Sequence, residues 1–105
     1  MARTRTVKGP RVATFLVFRQ LPGITRDQYA AAQQAAMDAA SQSSVSGREV
    51  RYRGGFFLPG TGRVICIFGA DSAADVALVN QHARVPFMEV LEAVEMQLPV
   101  SSRYG

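Results

Sequence analysis

The sequence predicts one α+β domain, in which four strands and two helices follow one another in the order βαββαβ. Residues 15–18 and 64–68 are apolar throughout and too short for helices, so they predict two strands that are covered on both faces. Two further segments begin with hydroxyl residues that suit the first position of a helix. The 105 residues suffice for one core, and a chain of this size gains burial from a partner subunit.

The first strand and the first helix are predicted within residues 14–47. The strand covers residues 14–18 and ends before Pro22 and Gly23. Proline cannot donate a hydrogen bond to a neighbouring strand, and glycine readily adopts the backbone conformations of a turn. Thr25 and Gln28 have the spacing of a capping box, so a helix begins there. A serine-rich segment ending in Gly47 is predicted to close it. One helical face carries Tyr29, Ala32, Ala36, Met37 and Ala40.

The second and third strands are predicted as a hairpin. Residues 50–53 alternate between apolar and charged side chains, which is typical of a strand with one wet face. Gly54 and Gly55 interrupt it, and paired glycines inside a strand predict a bulge or a close approach to the backbone. Residues 59–62 then form a turn that leads into the strand at residues 64–68.

The last two elements are a helix capped by Ser72 and a strand over residues 90–98. Pro86 ends the helix. Alternation along the strand puts Glu92 in one row with Val90, Val94 and Met96, so a carboxylate sits among apolar side chains.

This order of elements predicts a ferredoxin-like sheet of four antiparallel strands. Right-handed crossovers place the first and third strands in the middle and the other two at the edges. Two helices cover only one face of such a sheet, yet both central strands are apolar on both faces. We therefore expect a homodimer through the open sheet face, with two sheets packed face to face as in dimeric α+β barrels.

The positive net charge is concentrated at the N-terminus. Four of the twelve basic residues lie within residues 1–11, which leaves eight basic and eight acidic residues in the remainder. We interpret residues 1–11 as a flexible basic arm, residues 12–99 as the domain and residues 100–105 as a tail. Nucleic acid is therefore not an expected partner, although an arm that touches phosphates is the alternative. The glycine-aromatic pattern of RNA-recognition domains occurs here on the second strand instead of the third.

The expected compartment is the cytoplasm. No apolar stretch approaches the roughly 20 residues of a membrane span, and no apolar region follows the basic N-terminus as in a secretory signal. The single cysteine, Cys66, has no partner for an intramolecular disulfide and is interpreted as a small buried residue.

Several short motifs together resemble a known family. Residues 50–53 lead to Phe57-Leu58-Pro59, residues 66–70 are followed by Ser72-Ala73, and Val79-Asn80 precedes Val85-Pro86-Phe87. With residues 15–17 and 21–23, these motifs resemble the nickel-responsive-protein-like family of small bacterial ferredoxin-like dimers. The resemblance implies this fold, a dimer, and nickel binding for at least one member. At fold level the chain is also similar to dimeric α+β-barrel isomerases and monooxygenases, whose pockets lie between helices and sheet.

His82 and Glu92 are the candidate catalytic residues. His82 is the only histidine and lies near the end of the second helix, where it can act as a general acid or base. Glu92, if buried in its apolar row, would have a raised pKa suited to abstracting a proton from an acidic carbon. The alternatives are a surface histidine that serves as a helix C-terminal charge and a Glu92 that faces water.

Four further residues are candidates for binding substrate. Tyr52, Arg53 and Asn80 can orient a substrate or stabilise an enolate-like oxygen, and Phe87 can line the pocket. Each polar residue also has a structural interpretation as a cross-strand, edge or capping group.

Metal binding receives little support from the ligand count. Nickel prefers imidazole ligands, and one histidine with one buried cysteine cannot build a multi-histidine site. His82 with Asp71, Asp75 or a symmetry-related copy is the weak alternative.

The preferred hypothesis is a dimeric, cofactor-free enzyme of isomerase, cyclase or monooxygenase type acting on a small organic molecule. A nickel or divalent-metal binding protein and a non-catalytic dimeric interaction module are the alternatives.

Overall fold

The computed structural model describes residues 12–98, so the predicted N-terminal arm and the C-terminal tail lie outside the described residues. By length and hydrophobicity, neither helix within residues 12–98 could cross a membrane. Six elements follow the predicted order, namely β1 (Ala13–Gln20), α1 (Arg26–Val45), β2 (Val50–Leu58), β3 (Arg63–Ala70), α2 (Ala73–Ala83) and β4 (Glu89–Ala93).

The four strands form one antiparallel sheet in the order β2-β3-β1-β4, which confirms the ferredoxin-like prediction. The two strands that are apolar on both faces are the central ones. Phe15 lies opposite Phe68 of β3 on one side and opposite Glu92 of β4 on the other. Because side chains alternate, Phe15, Val17 and Arg19 of β1 share the face that the helices cover.

The core lies between the sheet and the two helices. Small side chains on α1, Ala36 and Ala40, are almost fully buried, which lets the helix approach the sheet closely. The largest fully buried side chain, Phe68, lies on β3. The remaining buried apolar residues are Phe15, Val17, Val50, Val64, Cys66, Ala70, Val76, Val79 and Val85.

The first helix begins and ends where the sequence predicts. The Thr25 hydroxyl accepts from the Gln28 backbone N–H at 3.1 Å, and the Gln28 side chain accepts from the Thr25 N–H at 3.0 Å. The predicted closing segment is confirmed, because the helix ends at Val45, within the serine-rich residues that precede Gly47. The chain turns only at Gly47, whose φ of 97° suits glycine.

The paired glycines of β2 have both of the predicted properties. The register with β3 shifts between Tyr52 and Gly54, so a bulge is present, and Gly54 has a φ of 114°. Gly55 is packed closely against the backbone of β3 and the Tyr29 side chain of α1. A Cβ there would come within 2.6 Å of the Ile65 carbonyl oxygen and 2.8 Å of the Tyr29 hydroxyl.

The fourth strand is shorter than predicted. It ends at Ala93 instead of Leu98, because Ala93 lies opposite Thr14 and β1 begins only one residue before Thr14. Beyond Ala93 only Ala13 is left on the neighbouring strand. Val94, Met96 and Leu98 are 75%, 83% and 83% exposed in the single chain.

Candidate functional site

The six residues predicted for the site do not lie together. Tyr52 faces α1, where it contacts Phe68 edge-on with ring centroids 5.3 Å apart. Arg53 follows on the opposite face, where its Nη1 donates to the Thr14 hydroxyl at 3.4 Å, beyond Gly69. The sheet therefore separates two residues that were predicted to bind one substrate.

His82 and Glu92, the predicted acid and base, are both exposed. His82 lines an open groove of about 220 Å³ between α1 and α2, together with Gln42, Ser43 and Arg48. Glu92 lies on β4 at the edge of the sheet and faces water, which agrees with the second interpretation of this residue. Among the grooves described for residues 12–98, none contains both side chains.

Asn80 is fully buried, and both ends of its amide are used within the protein. Its Nδ2 donates to the Val76 carbonyl at 2.8 Å, and its Oδ1 accepts from Nη2 of Arg19. The other terminal nitrogen of Arg19 donates to the carbonyls of Val85 and Pro86 at 3.2 and 3.1 Å. The hydrogen bonds of Arg19 thus connect β1 to α2 and to the loop that follows α2.

The same loop carries Phe87, the last of the predicted binding residues. Its side chain is half-buried and packs against the core cluster. Phe87 therefore has at least a structural role in closing the core beside β4.

A half-buried polar cluster lies between α1 and β2 and consists of Tyr29, Gln33 and Tyr52. Tyr29 and Gln33 are four residues apart, so they share one face of the helix. The Gln33 Nε2 donates to the Tyr52 hydroxyl at 2.7 Å and makes a longer contact of 3.5 Å with the Tyr29 hydroxyl. The Tyr29 ring stacks on Phe57 at 5.4 Å, which holds the phenol in place.

The two phenols stay neutral at ordinary pH. Burial raises the pKa of Tyr52, and burial also raises the pKa of Tyr29. The Gln33 amide therefore links the two hydroxyls, with the shorter contact to Tyr52. Among residues 12–98, no acceptor takes the hydroxyl hydrogen of Tyr29. That hydrogen can be donated to an oxygen atom of a bound molecule.

The cluster depends on the missing side chain of Gly55. The Tyr29 hydroxyl would lie 2.8 Å from a Cβ at this position, which is closer than such atoms approach in proteins. The sequence signal of two adjacent glycines in a strand thus marks the place where the phenol meets the sheet. Tyr29 and Gln33 were not identified as site residues, although their i, i+4 spacing on a predicted helix was visible.

A buried positive charge, Arg19, was also missed in the sequence. The residue is only 3% exposed; burial raises the pKa of Tyr29, and the Arg19 charge offsets a small part of this rise. Within residues 12–98, no carboxylate forms an ion pair with it. An Arg in the same alternating row as Phe15 and Val17 was the available signal. The Arg19 guanidinium instead donates to three oxygen atoms of the protein.

The metal-ligating side chains of the described residues lie apart from one another. No group of three or more His, Cys, Asp or Glu side chains comes together within residues 12–98. Cys66 is buried in β3, and Asp75 is paired with Arg48 at 3.6 Å. The described residues of one subunit therefore do not fit a nickel site.

Two comparisons with known proteins give matches. One solved structure, the "Crystal structure analysis of SCO4226 from Streptomyces coelicolor A3(2)", superposes with a TM-score of 0.70 at 24% sequence identity. The alignment covers 81% of this chain and 100% of that chain. At this identity the likeness shows the fold alone. No curated protein matches.

The second match concerns the family. Residues 15–93 match the family described as "Nickel responsive protein SCO4226-like", a range that includes all of α1, β2, β3 and α2. The match spans most of the chain and agrees with the motifs in the sequence. The chain belongs to the nickel-responsive, SCO4226-like family.

Proposed function

We propose that the protein binds a small organic molecule with a carbonyl or enolate oxygen, and that the Tyr29 hydroxyl donates to this oxygen. The observation that supports it is the Tyr29–Gln33–Tyr52 cluster, in which both hydroxyls accept from Gln33 and no acceptor among residues 12–98 takes the hydroxyl hydrogen of Tyr29. A neutral phenol is a suitable donor because it needs no counter-charge when half-buried. The nearby guanidinium of Arg19 favours a ligand that carries partial negative charge.

Ligand binding is tested by screening the full-length protein against 2-oxo acids, enol lactones and hydroxyquinones with thermal shift and calorimetry. For a compound that binds, Tyr29→Phe keeps the ring and removes the donor. We expect the dissociation constant to rise about 5- to 100-fold, as for the loss of one hydrogen bond to a polar or charged acceptor.

The neighbouring glutamines provide a matched control pair. Gln33→Ala removes the amide that donates to both phenols, whereas Gln34→Ala removes an exposed amide that donates only to Asp38, at 3.0 Å. We expect weaker binding for the first variant and unchanged binding for the second. If Tyr29→Phe binds every compound as well as the unaltered protein does, the cluster only holds α1 on the sheet and the proposal is wrong.

The finer form of this proposal is a cofactor-free enzyme of isomerase, cyclase or monooxygenase type. The phenol would then stabilise the enolate-like oxygen. His82 and Glu92 are the proton-transfer residues predicted from the sequence, and because they share no described groove within residues 12–98, each is tested by itself. For a compound that is turned over, we expect His82→Ala or Glu92→Gln to lower kcat at least 100-fold. Full activity in both variants would remove these two residues from the mechanism.

Nickel binding is the second candidate, and the family description favours it. Because one subunit lacks a suitable donor set within residues 12–98, a site would need ligands from a second copy or from outside this range. Calorimetry with nickel on tag-free protein is the direct test. No heat at micromolar metal would eliminate this candidate.

A further inference from the structure

The seam between α1 and α2 carries a groove that is open to solvent. Two neighbouring hollows, of about 220 and 270 Å³, both contain Ala39, Gln42 and His82. They therefore form one trough, which is called the helix groove here. Ala35, Ala39 and Gln42, with Ser46 at the end of the helix, recur at intervals of three or four residues. One stripe of α1 thus lines the helix groove along its whole length.

The two ends of the helix groove carry opposite charges. Arg48 lines only the smaller hollow, and Asp38 lines only the larger one. At 1.5 Å per residue, Ser46, which lines the same hollow as Arg48, lies about 12 Å along the helix from Asp38. Between the ends, the lining includes small or branched apolar side chains, namely Ala35, Ala39, Leu78, Val79 and Ala83. A complementary ligand is therefore elongated, charged oppositely at its two ends and apolar between them.

Both end charges retain capacity for a ligand. The Arg48 Nη1 lies 3.6 Å from an oxygen of Asp75, which is longer than a hydrogen bond, and the Arg48 side chain is 59% exposed. The Asp38 Oδ1 accepts from Gln34 at 3.0 Å, and no other hydrogen bond within residues 12–98 uses this carboxylate. A guanidinium with free donors suits a carboxylate, and a carboxylate with a free oxygen suits an ammonium group.

The middle of the helix groove presents side chains that suit peptide groups. Gln42 comes from α1 and His82 from α2, so the two line the groove from opposite sides. The side-chain hydrogen bonds described for residues 12–98 involve neither of them. A carboxamide has one acceptor oxygen and two donor hydrogens, so Gln42 can bind the C=O and the N–H of an extended peptide together.

We propose that the helix groove binds a short extended peptide with free ends, whose carboxylate pairs with Arg48 and whose ammonium group pairs with Asp38. An extended chain advances about 3.3–3.6 Å per residue, so three or four residues span the groove. Small apolar side chains suit its lining. The ligands are therefore tripeptides and tetrapeptides of residues such as alanine and valine. The groove lies between the helices, whereas the Tyr29 cluster lies between α1 and β2, so this proposal does not depend on the proposed function.

The test is a titration of ¹⁵N-labelled full-length protein with tetra-alanine, followed by the NMR shifts of backbone amides. We expect saturable shifts confined to residues 35–48 and 78–83. Acetylating the amino end or amidating the carboxyl end removes one charge and should raise the dissociation constant about 2- to 5-fold, as for an exposed ion pair. Di-alanine is too short to reach both ends and should bind no better than a singly blocked tetrapeptide. The absence of saturable shifts with about 10 mM tetra-alanine overturns the proposal.

Exchanging the end charges tests the direction of the peptide. Arg48→Glu or Asp38→Lys alone should weaken the binding of tetra-alanine about 5-fold or more, because one end then meets a like charge. The double variant should restore binding with the peptide reversed. A nitroxide on the first side chain of the peptide then broadens the signals near residue 48 instead of those near residue 38.

Two controls lie outside the helix groove. Arg51→Glu changes an exposed arginine that pairs with Glu49, and Gln81→Ala removes an exposed amide of α2. Both should leave binding unchanged, whereas Gln42→Ala should weaken it about 2- to 10-fold through the lost hydrogen bonds. If free and doubly blocked tetra-alanine bind equally well to the unaltered protein, the end charges do not recognise the peptide and the proposal is wrong.

Discussion

Replacing Gly55 by alanine tests the link between the bulged strand and the phenol cluster. The added Cβ would lie 2.6 Å from the Ile65 carbonyl oxygen, 2.8 Å from the Tyr29 hydroxyl and 3.2 Å from the Cys66 Cα. Two of these three atoms belong to the backbone of β3, which cannot move without disturbing the centre of the sheet. Inserting atoms into such a packed place costs about 1–3 kcal/mol. For a domain of about 100 residues, this lowers the melting temperature by roughly 5–20 °C.

The matched control is Gly69→Ala on the neighbouring strand. There the nearest atom is the Cγ1 of Val12 at 3.0 Å, the end of a side chain, and alanine gains about 0.5–1 kcal/mol over glycine from its smaller entropy loss. We therefore expect a change of less than about 1 kcal/mol. Both melting curves are recorded at one protein concentration, because dimerisation would shift them. If the Gly55→Ala protein has the same melting temperature as the Gly69→Ala protein, the close approach of Tyr29 to the sheet is refuted.

Three further predictions concern the buried clamp, the phenols and the helix start. Arg19→Met leaves Asn80 Oδ1 and the carbonyls of Val85 and Pro86 without their donor. The free energy of unfolding, measured in urea, should fall by about 1–3 kcal/mol. Equal or higher stability would show that the cost of burying the charge outweighs its hydrogen bonds. Because burial raises the pKa of Tyr29 and Tyr52 in the folded state, the unfolded chain loses these protons first, so stability is complete below pH 10 and falls as the pH rises above it. Tyr52→Phe should reduce this alkaline loss in urea titrations, and an unchanged slope would contradict it. Thr25→Ala removes the capping box and should cost about 1 kcal/mol, read as a melting temperature about 4–8 °C lower.

The sheet and its order could be predicted because the signals are local. Residues 15–18 and 64–68 are apolar on both faces, and only central strands need cover on two sides. The capping pair Thr25 and Gln28 fixed the first residue of α1, since each satisfies a backbone group within one turn. The end of β4 could not be predicted in this way, because it depends on where the neighbouring strand begins. The alternating sequence pattern continues to Leu98, but the pairing with β1 ends at Ala93.

The candidate site was less predictable because its residues come from separate elements. Tyr52 was identified, but its partners on α1 approach it only after the helix has packed on β2. Alternation already puts adjacent strand residues on opposite faces, so Arg53 could have been separated from Tyr52 by the pattern alone. Asn80 was rightly singled out as a polar residue on an apolar helix face. Its partner, Arg19, lies 61 residues away, and nothing in the local sequence connects the two.

The pairing of Thr14 with Ala93 places the start of β1 beside the end of β4. The chain therefore enters and leaves the sheet on adjacent strands, about 5 Å apart. Such a layout suits circular permutation: a short flexible linker can join the two ends, and new termini can open in the exposed turn at residues 59–61. The β2–β3 hairpin would then be split while the central β1–β3 ladder stays intact.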